Sequence, residues 1–78
     1  RTQMLRSMID ARPSDPFPRY GLAMEYRRLE QFSAAVDEFE QLIKLHPDYV
    51  PTYLMAGQVL VALAEPQRAA QVLRAGLE

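Results

Sequence analysis

Apolar residues along this chain recur at helical spacing. Between Thr2 and Ala11 they fall at Leu5, Met8 and Ile9, the i, i+3, i+4 pattern of one helix face. Pro13 ends that run, because proline lacks an amide hydrogen and clashes with the preceding turn. Asp15 is placed to cap a second helix with Pro16 at its first position, where the missing N–H is no loss. Pro18 pushes Phe17 toward extended backbone and predicts a start two residues later. This helix should run to about Leu29, with Leu22, Ala23 and Tyr26 on one face. The stretch "EQFS" predicts a short turn, with Ser33 capping a third helix from Ala34 to Leu45. Its stripe is Ala35, Val36, Phe39, Leu42 and Ile43. Pro47 closes that helix and Pro51 opens a fourth, Thr52 to Leu63. A fifth begins near Pro66 and carries Ala69, Val72, Leu73 and Leu77. No segment reads as a strand, so the expected fold class is all-α with five helices.

Pro13 and Pro47 lie 34 residues apart. Sliding the chain against itself by that interval places Leu5 on Phe39, Met8 on Leu42 and Ile9 on Ile43. It also pairs Ala23 with Gly57, Tyr26 with Leu60, Ala35 with Ala69 and Phe39 with Leu73. Few pairs are identical, but size and polarity agree at the interior positions. A helix pair returning at this interval resembles the tetratricopeptide repeat, whose pattern runs W-x2-L-G-x2-Y, then A-x3-F, then P. The matching residues are Leu22, Ala23, Tyr26, Ala35, Phe39 and Pro47, and then Tyr53, Ala56, Gly57, Leu60, Ala69 and Leu73. Arg19 stands where the pattern wants tryptophan, and Phe17 or Tyr20 is expected to fill that volume.

The resemblance implies a right-handed α-α superhelix, a solenoid of antiparallel helix pairs. Residues 1–13 would be the second helix of a partial or capping repeat, 14–47 one repeat, and 48–78 a second, truncated one. Small residues belong where helices cross closely, and Ala23, Ala35, Gly57 and Ala69 hold those places. Gly57 inside a helix costs about 1 kcal/mol against alanine, which close packing should offset.

Composition narrows the function. The 78 residues make one small domain, and without cysteine neither disulfides nor a Cys-based metal site is available. Arg19, Arg27 and Arg28 are basic, but a net charge of −1 gives no broad attraction to nucleic acid or anionic lipid. The longest apolar stretch, Tyr53 to Ala64, is too short to span a bilayer and is interrupted by Gln58. No signal-peptide pattern opens the chain, so a cytoplasmic location is the default expectation.

Candidate chemistry is sparse. His46, the only histidine, sits at a helix end where the dipole favours an imidazolium, and it reads as structural. Asp37, Glu38 and Glu40 form a short acidic run, with Glu40 and Lys44 as an i, i+4 pair on a solvated face. No phosphate loop, metal-ligand spacing or nucleophile–base arrangement appears, so neither catalysis nor a cofactor is expected.

Binding is the stronger expectation. Opposite Leu22, Ala23 and Tyr26, the second helix carries a stripe of Tyr20, Met24 and Arg27. The fourth helix carries a corresponding stripe of Leu54, Gln58 and Val61. In proteins that this one resembles, such first helices line a concave groove for a partner segment. The groove here would be apolar and aromatic, with Arg27 and Arg28 at one end; packing between neighbours could instead bury part of Tyr20 and Met24. The Lys, Asn and Arg set with which one subclass of these repeats holds chaperone C-termini is absent. Between Tyr53 and Ala64 only Gln58 is polar, so this helix needs cover beyond its neighbours. A protein or peptide partner is one candidate; a homodimer, with the chain as an assembly scaffold, is the alternative.

Overall fold

The computed structural model describes residues 2–77. The outermost positions of the expected division, residues 1 and 78, lie outside the described residues. The order is α1 (Thr2–Ala11), α2 (Pro16–Arg28), α3 (Phe32–Leu45), α4 (Pro51–Ala62) and α5 (Pro66–Leu77), with no strand among the described residues. Each helix packs chiefly on the next, and the Cα atoms fill a slab of 34 × 27 × 13 Å. The thin dimension suits two layers of helices with axes about 8–10 Å apart. Among the described residues no helix is long and apolar enough to cross a membrane.

Asp15 and Pro16 open α2 as expected, and the start of α3 moves. α2 starts at Pro16: Asp15 accepts a hydrogen bond from the Phe17 amide at 3.0 Å, and Pro18 is buried inside the first turn. The cap overrides the extended preference that Pro18 imposes on its predecessor. α3 starts at Phe32, so Ser33 lies inside the helix, and the capping residue is Gln31, without a side-chain bond. Its amide donates to the Tyr26 carbonyl at 2.8 Å while that of Glu30 donates to Arg27. Glu30 has φ 60°, the left-handed turn that closes a helix and normally favours glycine. The same arrangement recurs after α4, where Ala64 also has φ 60° and Glu65 donates to Leu60 at 2.9 Å. No glycine marks either turn, so sequence signals place the break late.

The core comes from the middle of the stack. Leu22, Ala23, Ala35, Phe39, Leu42, Ala56, Val59 and Leu60 are buried, and Ala69 joins them from α5. The outer helices complete only part of their predicted stripes. In α1 Ile9 is buried but Met8 is exposed; in α5 Ala69 is buried but Leu73 and Leu77 are exposed.

Close approaches fall where small residues stand. A Cβ on Gly57 would lie 2.6 Å from Leu73 of α5, so the α4–α5 crossing excludes a larger residue unless Leu73 moves. Gly76 is tighter: a Cβ there would lie 2.5 Å from the Cβ of Tyr53. That contact involves the stem of the ring, which cannot swing aside.

Arg19 does not fill the tryptophan position with bulk. Its guanidinium donates to Glu38 on α3 at 2.8 Å, both side chains mostly shielded. Arg6 of α1 approaches the other Glu38 oxygen at 3.8 Å and donates to the Tyr26 hydroxyl at 2.7 Å. Glu38 is therefore buried among cations, not part of a solvated acidic face. Glu40 pairs with Arg68 of α5 at 2.7 Å, not with Lys44. Phe17 lies exposed, and Tyr20 turns toward the core.

Candidate functional site

The two predicted stripes lie side by side. Arg27 donates to the Gln58 side-chain oxygen at 3.1 Å, joining the last turns of α2 and the middle of α4 across 31 residues of sequence. Beyond Gln58, Leu54 and Val61 leave 53% and 60% of their surface open. Tyr20 and Met24 are half-buried. The Tyr20 ring meets Phe39 and Tyr49 edge-on, with centroids at 6.2 and 5.6 Å. Burial raises the Tyr20 pKa, Tyr49 adding to the effect. Tyr20 and Met24 are thus half-covered, while Leu54 and Val61 stand open to solvent.

Arg28 behaves differently from Arg27. It folds back on Glu25 one turn earlier, its Nε at 3.0 and 3.2 Å from the two carboxylate oxygens. This bidentate geometry holds a buried Glu25 while the guanidinium stays largely in solvent. Arg28, like Arg27, lines a concavity on the α1 side of α2.

That concavity, about 770 Å³, opens between α1 and α2. Leu5 and Met8 form its α1 wall; Gly21, Met24, Glu25 and Arg28 form its α2 wall. Tyr20 and Arg27 also reach it, so α2 contributes four predicted site residues to this space and α4 contributes none. Leu5, Met8 and Gly21 were absent from the predicted site. The 34-residue shift contains the signal, since it equates Leu5 and Met8 with Phe39 and Leu42, two core residues.

His46 is the C-terminal cap of α3, its amide donating to the Leu42 carbonyl at 2.7 Å. What the surface offers is apolar area edged by arginine, a chemistry of adhesion.

A profile of the tetratricopeptide repeat family matches residues 16–59, more than half of the chain. No curated protein matches the sequence. Proteins of this family are in general non-catalytic modules that bind protein partners. That match spans α2, α3 and most of α4; the left-handed turns of Glu30 and Ala64 return at the interval of the sequence pattern, and the chain belongs to the tetratricopeptide repeat family.

Proposed function

We propose that the chain is a non-catalytic interaction module that receives an apolar or amphipathic segment of a partner protein along α2 and α4. In this reading residues 14–47 and 48–78 are two successive repeats, preceded by the second helix of another. Tyr20 and Met24 form the floor of the groove, Leu54 and Val61 its lip, and Arg27 and Gln58 the polar bridge between them. Arg28 adds positive charge at the end. The observation that carries this reading is the Arg27–Gln58 bond, which sets the two stripes next to each other with apolar side chains still open to solvent. An amphipathic helix or extended strip laid on such a surface gains the burial of each anchor, roughly 1.5–3 kcal/mol for a fully covered Leu or Val.

The test is selection of binders from a displayed random-peptide library, followed by titration of the best ones against Met24→Glu/Leu54→Glu. Loss of binding with retained helicity is expected; unchanged affinity in the double variant would remove the groove.

A second reading has its own observation. Leu54, Leu73 and Leu77 edge an apolar recess at the α4–α5 end of the stack, and Leu77 is 90% exposed. This favours a homo-oligomer that uses that end. Sedimentation equilibrium across concentration decides it: a chain that stays monomeric at high concentration is not a self-assembling scaffold.

A further inference from the structure

Three arginines stand on α2, and two of them hold carboxylates of this chain. Arg19 meets Glu38 at 2.8 Å, and Arg28 grips Glu25. Arg27 pairs with no carboxylate among the described residues; it donates to the neutral side-chain oxygen of Gln58. The other described cations without a carboxylate, Arg12, Lys44 and Arg74, are exposed, whereas Arg27 is half-buried. A guanidinium carries five N–H donors, so one bond to an amide leaves most of them unanswered. Partial burial also strengthens its attraction for an opposite charge, because the surrounding dielectric is lower than that of bulk water.

The same seam holds further donors. The Tyr20 hydroxyl has no hydrogen-bond partner among the described residues, and Arg27 is near enough for its charge to oppose the rise in the Tyr20 pKa. Tyr49 lies against the Tyr20 ring at 5.6 Å, and its hydroxyl is likewise unpartnered. Neither stripe carries an acidic residue: α2 offers Tyr20, Met24 and Arg27, and α4 offers Leu54, Gln58 and Val61. Both walls of the seam are helices of this chain, and α3 packs on each of them.

We propose that the groove selects a partner segment with an internal aspartate or glutamate between two apolar residues, the carboxylate accepting from Arg27. This rests on the groove reading above and adds the charge of its occupant. Leu54 and Val61, both open to solvent, stand one turn either side of Gln58 along α4. A segment that meets Arg27 therefore runs on over an apolar side chain in both directions. That suits a carboxylate on a side chain rather than at a chain terminus. A phosphate dianion is served by a cluster of arginines, and the neighbouring Arg28 is already engaged by Glu25. A single negative charge is the match for one cation among neutral donors.

The test selects displayed random peptides in parallel on the chain and on Arg27→Met. An acidic residue flanked by apolar ones should dominate the first pool and be lost from the second. The best peptide of the first pool is then made with an amidated C-terminus and titrated by fluorescence anisotropy. Changing its acid to the corresponding amide should weaken binding about tenfold or more, as for loss of a charged hydrogen bond. Against Arg27→Met the acid and amide peptides should bind alike, and on the unchanged chain only the acid peptide should weaken steeply with salt. The acid-to-amide comparison on the unchanged chain does not depend on how the variant folds. Binders that Met24→Glu/Leu54→Glu abolishes but that show no preference for an acid overturn this inference and leave the groove standing. Acid preference that persists on a helical Arg27→Met overturns it as well. Binders untouched by the double variant, or no binders at all, remove the groove and this inference together.

Discussion

At the register where α2 carries Arg19, α4 carries Tyr53, and the two hairpins hold together differently around that point. Arg19 reaches across to a shielded Glu38, which Arg6 also approaches, so three helices meet on one carboxylate. Tyr53 packs its ring against Gly76 of α5 and donates its hydroxyl to the Pro47 carbonyl, and the register of Glu38 is held by Val72. Further along, Glu25 and Arg28 form an ion pair where α4 has Val59 and Ala62. The α2–α3 hairpin thus uses charge pairs at several sites that the α4–α5 hairpin fills with apolar side chains. Their closing turns nevertheless share φ and hydrogen bonds. Backbone geometry is set by the turn and the small crossing residues, and either chemistry can serve the contact if its partner changes with it.

The largest effect should come from truncating equivalent positions. Phe39 is fully buried and Leu73, its counterpart, is 38% exposed. Phe39→Ala should destabilise by about 3–5 kcal/mol in urea unfolding. Leu73→Ala should cost about 1 kcal/mol, since much of its surface is already in water and its removal frees space beside Gly57. Similar losses at both positions would mean that the α5 end is covered in solution.

A smaller effect tests the exchange of chemistries. Glu38→Ala leaves Arg19 shielded without its carboxylate and should cost about 2 kcal/mol, less than a fully buried pair because Arg19 keeps some solvent. Arg19→Tyr combined with Glu38→Val installs the residues of the second hairpin and should recover most of that loss. A double variant no better than the sum of its parts would show that the two hairpins are not interchangeable here.

The smallest effect concerns what the hairpins share. Non-glycine residues at left-handed backbone angles cost about 1–2 kcal/mol, offset in part by the greater unfolded-state freedom of glycine. Glu30→Gly and Ala64→Gly should each raise stability by about 0.5–1 kcal/mol. Unequal gains would separate two turns that are geometrically the same.

Much of the helical order was readable because its causes are local. Pro16 and Asp15 start α2, Pro51 starts α4, and the apolar spacing picks out the inward face of α3. The α2–α3 break was misplaced by two residues because Glu30 takes a glycine-like angle that its side chain does not advertise. In the candidate site, the alignment of the α2 and α4 stripes followed from spacing. The α1 wall was missed because Leu5 and Met8 look like core residues in sequence, and only a neighbour's position reveals whether core residues are covered.

Proline positions and the 3.6-residue period dictate how many helices form, where most of them stop, and which face each turns inward, because those constraints act within a turn or two of chain. The interval of 34 residues likewise lies in the linear order, since it is a count. Whether Phe39 is sealed while Leu5 lines a cavity and Leu73 stays half-open depends on where each helix lies in the stack. So does the meeting of Arg19 with Glu38, 19 residues on. Solvent exposure and ion pairing belong to the assembled neighbourhood, so identical local patterns can end in different surroundings.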